Sequence, residues 1–259
     1  EIWASWNPEN ESDPIDRFFA EPRPDVVLVE CNIYDNPFRS DLLWAEMQSD
    51  RERLDIGEFS HIWEGAYRVL SKEQIFADKC KVADFEPSSS WDGPYYGCDW
   101  GFGVDPTAAV ELWICDRTLY VHRESYHHQL ELDDTADVWR HDIPGMDRHV
   151  VRADSARPDS ISHVRRRGFP MLVGAEKGKG SVEDGIEFIR SFNEIVIHSR
   201  CVKMQHEAKS YKWKTNRAGD ILPKPNDADN HLWDSVRYAL EPLIKQKHSR
   251  ISTGAPAIW

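Results

Sequence analysis

Three aspartates are the residues whose positions best suit chemistry in this sequence. Asp99 and Asp154 each end a short apolar run, and Asp234 lies on the polar face of the last predicted helix. The sequence holds no cluster of Cys and His that competes with them, and oxygen ligands favour hard divalent cations such as Mg²⁺ or Mn²⁺. Two such ions about 3.5–4 Å apart would activate water and stabilise the leaving 3′-oxygen of a phosphodiester. Solvated acids, with Asp99 in an ordinary hairpin, are the alternative.

The residues around these acids support a ligand site. Gly101 and Gly103 follow Asp99, and we expect them to let the backbone come close to a ligand, which suits a metal or phosphate site. His231 lies one helical turn before Asp234, so it is predicted to orient that acid or to contact a metal-bound water, unless it is a surface histidine. Two further acids are weaker candidates, Asp105 and Asp229.

Composition indicates a folded chain with an uneven charge. The chain has 259 residues, 40% of them hydrophobic, and 11 Trp, which is enough for a substantial core. The net charge is −13, but residues 1–90 hold −11 of it, whereas residues 157–224 carry a surplus of +6. A local surplus of this size can steer the phosphates of DNA.

Other composition features concern compartment and completeness. No run of 18 apolar residues and no signal peptide is present, so a membrane partner is not expected. The five cysteines are scattered without a C-x-x-C pair, which predicts neither a zinc site nor a disulfide framework and favours a reducing cytoplasm. Because the first residue is not Met, we expect a piece of a longer protein.

The pattern of elements predicts an α/β fold. A meander of three strands is followed by alternating strands and helices, which is typical of a mixed sheet covered by helices. The predicted strands are 95–99, 108–115, 118–127, 149–154, 170–174 and 194–197, and the predicted helices are 132–141, 158–167, 182–192, 202–211 and 228–244. Upstream we expect a strand at 26–29, a helix at 40–53 and a connector with a weak helix at 72–79, rich in turn formers up to Pro94.

Two basic segments are candidates for contact with DNA phosphates. One is the predicted hairpin at 211–222, with Lys212, Lys214 and Arg217. The other is a glycine-flanked loop with Lys177 and Lys179. Ordinary solvated lysines are the alternative for both segments.

Four segments, in this order, resemble tailed-bacteriophage terminase large subunits. They are 99–108 (DWGFGVDPTA), 153–158 (ADSARP), 175–185 (AEKGKGSVEDG) and 230–239 (NHLWDSVRYA). The resemblance implies that residues from about 90 onward form an RNase H-like nuclease domain, which cuts concatemeric phage DNA during genome packaging. In the resemblance, Asp99, Asp154 and Asp234 match the metal-binding acids of that family.

Upstream segments resemble the end of the packaging ATPase domain of the same family. They are 5–8 (SWNP), 34–38 (YDNPF) and 61–65 (HIWEG). The resemblance therefore implies a partial α/β ATPase-domain remnant with linker at 1–88, an RNase H-like mixed β-sheet flanked by helices at 89–250, and a flexible tail at 251–259. No G-x-x-x-x-G-K-[ST] motif is present, so ATP hydrolysis is not expected from this chain.

The function predicted from the residues and the resemblance is a Mg²⁺- or Mn²⁺-dependent endonuclease that uses two ions. Its substrate would be double-stranded DNA, cut with little sequence preference, since no recognition-helix or zinc-finger signature is present. The resemblance implies a portal protein and a small terminase subunit as further partners, and a location in the host bacterial cytoplasm, transiently at the procapsid portal. Two alternatives remain: a non-catalytic DNA-clamping or docking module of the motor, and another RNase H-like nuclease of the resolvase or transposase type.

Overall fold

The computed structural model of the protein describes residues 5–6, 14–19, 26–67, 73–101, 103–178, 180–216, 221–226 and 229–246. The strands within these ranges are β1 (Cys80–Ala83), β2 (Asp92–Asp99), β3 (Thr107–Cys115), β4 (Thr118–His127), β5 (Val151–Ala153), β6 (Leu172–Gly174), β7 (Glu194–His198), β8 (Trp213–Thr215) and β9 (Ile221–Pro225). The α-helices are α1 (Pro14–Phe19), α2 (Asp41–Arg53), α3 (Ile56–Trp63), α4 (Thr135–Asp142), α5 (Pro158–Arg166), α6 (Ser181–Arg190), α7 (Val202–Ser210) and α8 (His231–Ala239).

A seven-stranded mixed sheet forms the centre of the molecule. Its strand order is β1-β7-β4-β3-β2-β5-β6. The pairs β2–β3 and β3–β4 are antiparallel, and the other four neighbouring pairs are parallel. The turn between β3 and β4 holds Asp116 and Arg117 at φ values of 48° and 59°, the left-handed conformation that suits a tight hairpin. A mixed sheet flanked by helices confirms the predicted fold class.

Helices cover both faces of this sheet because its strands are apolar on both sides. Residues of α6, α7 and α8 pack on one face, where Leu232, Trp233 and Val236 of α8 are fully buried. Residues of α4 and α5 pack on the other face, around the fully buried Trp139. The last helix thereby lies directly over the central strands.

Contact between α8 and β2 depends on a glycine. A Cβ atom at Gly97 would lie 2.0 Å from the carbonyl oxygen of Ser235 and 2.6 Å from the backbone nitrogen of Ala239. A side chain at position 97 would therefore push α8 away from β2. Gly97 fixes the distance between the strand that ends in Asp99 and the helix that carries Asp234.

The region before the sheet has a small core of its own. Ile33, Met47 and Phe59 are buried together, and α2 begins where Ser40 Oγ accepts a hydrogen bond from the amide of Leu43 (3.1 Å). The helix predicted at 40–53 is confirmed. The strand predicted at 26–29 is wrong, because the structure places these residues in no ladder with any other described residue.

The sheet also begins earlier in the chain than the sequence pattern indicates. β1 pairs in parallel with β7, so it is an edge strand of the same sheet although it lies before residue 89. The helix predicted at 72–79 is a single 3₁₀ turn at Ala77–Lys79 within the described residues. β1 has only four residues, too few to show the alternation of a strand, which explains why the sequence pattern did not predict it. The domain boundary at 88/89 stays a prediction.

Two further observations concern the cysteines and the helices. All five cysteines are free thiols. Among the helices that the structure describes, none has both the length and the apolar composition needed to cross a membrane.

Candidate metal centre

Asp99 and Asp154 leave the sheet side by side. β2 and β5 run in parallel with Cys98 opposite Ala153, and the amide of Asp154 donates to the carbonyl of Cys98 (3.1 Å). Parallel strands end at the same edge of a sheet, which is where ligand sites of α/β proteins form. Asp99 is buried, with 8% of its surface exposed.

The loop after Asp99 is tightly closed. A Cβ atom at Gly101 would lie 2.2 Å from the carbonyl oxygen of Pro106, and the hydroxyl of Thr107 donates to the carbonyl of Gly101 (2.8 Å). The space beside Gly101 is therefore occupied by the chain itself, so the expectation that this glycine leaves room for a ligand is wrong. Gly103 has a φ of +77°, and a Cβ atom there would meet nothing within 4 Å, so this glycine serves the conformation of the turn.

The first turn of α8 brings the third acid and the histidine to this edge. His231 Nδ1 lies 3.2 Å from Asp99 Oδ2, and His231 Nε2 lies 3.9 Å from Asp105 Oδ1. Asp234 lies one turn further along α8 and accepts hydrogen bonds from Arg237 Nη2 (2.7 Å) and from Asn230 Nδ2 (3.3 Å). The structure therefore brings His231 onto Asp99 rather than onto Asp234, the acid that the sequence suggested it would orient.

The charges of the three acids act on one another. Burial raises the pKa of Asp99, and the negative charges of Asp234 and Asp154 raise it further, while the hydrogen bond with His231 opposes the shift. That same hydrogen bond is the main reason why the pKa of His231 is raised. Clustered carboxylates of this kind repel one another until a cation neutralises them.

Basic residues neutralise two of the acids. Lys177 Nζ forms an ion pair with Asp154 Oδ1 and lies 5.2 Å from the ring centroid of Tyr238. Arg237 is buried and pairs with Asp234. A groove of about 160 Å³ adjoins these residues. Its charged lining is balanced, with three bases (Lys177, Arg237 and Lys245) and three acids (Glu176, Asp184 and Glu241).

Glu207 fixes the start of α8 from the neighbouring helix α7. Its Oε2 accepts hydrogen bonds from the amides of Leu232 (2.9 Å) and Trp233 (3.2 Å). Amides in the first turn of a helix have no partner within the helix itself, so Glu207 satisfies two of them. Glu207 has 1% of its surface exposed, and burial raises its pKa to about 8. Sequence reasoning missed Glu207, because nothing in a helical pattern shows that one glutamate caps another helix. It also missed Arg237, whose i, i+3 spacing from Asp234 was the available signal.

The remaining predicted contacts lie further from the acids or outside the described residues. Lys214 lies in β8 and Lys212 just before it, in a ribbon whose backbone pairs with Glu73 and Gln74. Lys179 and Arg217 lie outside the described residues. Asp229 is described at φ 52°, just before α8.

The three aspartates offer an all-oxygen ligand set that fits Mg²⁺ or Mn²⁺. Their oxygens do not all lie within 4.8 Å of one another. Within the part of the chain that the structure describes, the group with that spacing is a different one, Glu86, His122 and His198. Asp154 and Asp234 each also form an ion pair, with Lys177 and Arg237 respectively.

Comparison with known proteins identifies the family of the chain. Residues 99–242 match the family described as the terminase RNase H-like domain. The large terminase subunit of Bacillus phage SPP1 is 30% identical over 245 residues, which are 91% of this chain and 55% of that protein. The PBSX phage terminase large subunit of Bacillus subtilis strain 168 is 30% identical over 177 residues, 68% of this chain and 39% of that protein. The chain thus spans about half, or less, of these relatives.

A solved structure supports the same assignment. The crystal structure of the large terminase nuclease domain from bacteriophage SPP1, with bound Mn, superposes with a TM-score of 0.59 at 29% identity. The match covers 66% of this chain and 98% of that domain. The region matched by the family, residues 99–242, contains the three acids, His231 and α8. The chain belongs to the terminase large-subunit family and carries its RNase H-like domain.

Proposed function

We propose that this chain is the metal-dependent endonuclease of a viral DNA-packaging motor, and that it cuts concatemeric double-stranded DNA with little sequence preference. The observation that carries the proposal is the placement of Asp99 and Asp154 at adjacent strand ends with Asp234 facing them from α8. The bound Mn in the SPP1 nuclease domain supports the choice of cation.

Asp99, Asp154 and Asp234 are the residues that would hold one or two Mg²⁺ or Mn²⁺ ions. Bound there, the cations would supply an activated water and stabilisation of the leaving 3′-oxygen. The hydrogen bond from His231 keeps the buried Asp99 carboxylate oriented and favours its charged form. Glu207 holds the first turn of α8, so that His231 and Asp234 keep their positions relative to β2.

DNA phosphates would be bound by the basic residues beside the acids. Lys177 is the strongest candidate, because it already pairs with a carboxylate at the site and lines the adjoining groove. Lys179, Lys212, Lys214 and Arg217 are proposed to contact the backbone further along the duplex. A portal protein and a small terminase subunit are the proposed protein partners, with activity in the host cytoplasm and at the procapsid portal.

Plasmid cleavage in the presence of Mn²⁺ or Mg²⁺ tests the proposal. We expect cleavage by the unmodified chain, abolition by EDTA, and loss of cleavage in Asp99→Asn and Asp234→Asn. Asp137→Asn is the matched control, since Asp137 is an exposed acid paired with Arg140 on α4. Absence of cleavage by the unmodified chain, or undiminished cleavage by the two site variants, would refute the metal assignment.

A second candidate function is a non-catalytic DNA clamp, favoured by the ion pairs that Asp154 and Asp234 make with Lys177 and Arg237. In that case the acids serve structure and the cutting lies in a partner. DNA binding that is insensitive to EDTA, without cutting, would favour the clamp over the nuclease.

A further inference from the structure

A second group of metal-ligating side chains lies on the other face of the sheet from α8. His122 is in β4, His198 ends β7, and Glu86 follows β1. The strand order β1-β7-β4 places these positions next to one another. Val121 and Ile197 belong to the core beneath α8, whereas the rings of His122 and His198 lie 5.7 Å apart on the other face, where His122 meets Glu111. One ligand atom from each of the three side chains lies within 4.8 Å of the other two.

His122 is prepared as a ligand by the residue behind it. The imidazole is 4% exposed, and its Nδ1 lies 3.0 Å from Oε1 of Glu111, which is also buried. A carboxylate at Nδ1 fixes the proton there and leaves the lone pair on Nε2, an arrangement that recurs behind metal-binding histidines. His122 Nε2 is buried without a hydrogen-bond partner, although Glu86 Oε2 is 3.3 Å away in a poorly aligned position. A buried, unpaired nitrogen is costly unless something binds it.

A cation already stands at the edge of this group. Arg200 Nη2 lies 2.6 Å from His198 Nε2 and donates to Glu86 Oε1 (2.9 Å). The other ring nitrogen of His198, Nδ1, accepts hydrogen bonds from the amide and the Nε of Arg200 (3.2 Å each), and Asp84 Oδ1 lies 3.7 Å from it. Nitrogen and carboxylate lone pairs thus face a position that the structure fills with a positive charge.

We propose that Glu86, His122 and His198 form a Zn²⁺ site, separate from the aspartate centre, with water as the fourth ligand. Two histidines and one glutamate are a ligand set typical of zinc, whereas hard cations such as Mg²⁺ prefer the oxygen ligands of the aspartates. Tetrahedral bonds of about 2.0–2.1 Å place ligand atoms about 3.4 Å apart. The ligand atoms now lie within 4.8 Å of one another, and the exposed Glu86 side chain can move to bring them to the shorter spacing. The guanidinium of Arg200 moves out of the site when zinc binds.

The proposed zinc would fasten the segment between β1 and β2 to the sheet. Glu86 lies on that segment, as do Phe85 and Trp91, whose rings pack on Tyr120 of β4 (centroid distances of 5.0 and 4.2 Å). The ion would add a bond between the segment and the histidines of β4 and β7. Zinc binding therefore stabilises the folded chain against thermal unfolding, increasingly so as the free zinc concentration rises.

Equilibrium titration with Zn²⁺ tests the site in a chain whose aspartate centre is disabled. We would use the Asp99→Asn/Asp154→Asn/Asp234→Asn variant, monitor competition with a zinc-sensitive dye, and record visible absorption with Co²⁺ as a probe of tetrahedral ligation. The expected result is one Zn²⁺ per chain with a raised melting temperature. If circular dichroism shows that the triple variant is folded, its failure to retain Zn²⁺ would overturn the proposal. If the triple variant does not fold, the single variant Asp99→Asn takes its place in the same test.

Variants of this background locate the zinc. Glu86→Gln, at an exposed position, should weaken binding at least about tenfold, and Glu111→Gln should weaken it about 10- to 100-fold through its effect on His122. Arg200→Ala should tighten binding, because it removes the competing cation. The matched control is His141→Ala, since the side chain of His141 is 89% exposed, and it should leave binding unchanged. Equal affinity in Glu86→Gln and the background, or weaker binding in Arg200→Ala, would place the zinc elsewhere and refute the site.

Discussion

Replacing Gly97 by Ala tests whether the distance between β2 and α8 sets the geometry of the acids. The added Cβ would lie 2.0 Å from the carbonyl oxygen of Ser235, and ordinary contacts begin at 3.4 Å. The two nearest neighbours are backbone atoms, so no side chain can rotate away to relieve these contacts. The helix must then retreat from the strand by about 1.4 Å, or the sheet must bend by a similar amount.

The size of the effect follows from this displacement. Overpacking of a core usually costs about 1–3 kcal/mol, and we expect about 3 kcal/mol here because the clash is with backbone. In a domain of about 150–250 residues this lowers the melting temperature by about 6–12 °C. The displacement moves His231 and Asp234 away from Asp99, and a misplacement of about 1 Å can reduce catalysis about 100-fold.

The assay combines thermal unfolding with Mn²⁺-dependent plasmid cleavage at about 25 °C, where we expect the variant to be folded. Ile143→Ala is the control for stability, because Ile143 is fully buried on the other face of the sheet and its truncation costs about 2–5 kcal/mol. We expect this control to keep its cleavage rate. Gly57→Ala, in α3 before the sheet, is the control for the glycine substitution itself, since a Cβ there would come no nearer than 3.3 Å to a neighbouring atom.

A folded Gly97→Ala chain that cleaves DNA at the normal rate would refute the reasoning. It would mean that the acids do not depend on the seating of α8 against β2. Equal losses of cleavage in Gly97→Ala and Ile143→Ala would show that stability alone, rather than position, explains the effect.

Three further outcomes are expected. The pKa of Glu207 is raised from 4.5 to about 8 in the folded chain, so the protonated form favours folding, and this contribution is lost as the pH rises from 4.5 through 8. Glu207→Gln should therefore remove a dependence of the unfolding free energy on pH of up to about 1.4 kcal/mol per pH unit, measured by urea unfolding. An unchanged pH dependence would contradict the assignment. Lys177→Ala should lower the slope of log Kd for DNA against log salt concentration by about 1. The control Lys81→Ala, on the edge strand β1, should leave that slope unchanged. Equal slopes in the unmodified chain and both variants would exclude a phosphate contact by Lys177. Trp139→Ala should destabilise the chain by about 3–5 kcal/mol in the same urea assay, because its fully buried ring packs on Phe169, and a loss below about 1 kcal/mol would contradict that packing.

Much of the fold could be predicted because its strands and helices are long and strongly patterned. The meander of β2, β3 and β4 and the strand–helix repeats after it show clear periodicity, and their order indicates a mixed sheet. β1 was missed, since its four residues take their structure from pairing with β7 rather than from their own pattern. The opposite error occurred at 26–29, where apolar residues read as a strand but have no ladder partner among the described residues.

The candidate site could be predicted only in part, for a physical reason. Aspartates at strand ends are visible in the sequence, because an apolar run that stops at an acid marks an edge of the sheet. The i, i+3 spacing of Arg237 from Asp234 was visible in the sequence, whereas the contact of Glu207 with α8 depends on how two helices pack and could not be found there. Glu86, His122 and His198 are spread over 112 residues of sequence and converge only through strand order, which is why the scattered histidines gave no sign of a zinc site.

The position of α8 has a consequence for the order in which the chain folds. The contact between Asp99 and His231 spans 132 residues of sequence. Contacts of such long range form late, after local helices and hairpins are in place. During synthesis, a growing chain would expose Asp99 and Asp154 at a sheet edge well before Asp234 emerges. The three acids come together only when α8 has docked on Gly97, so under the proposed function an unfinished chain would be unable to cut DNA.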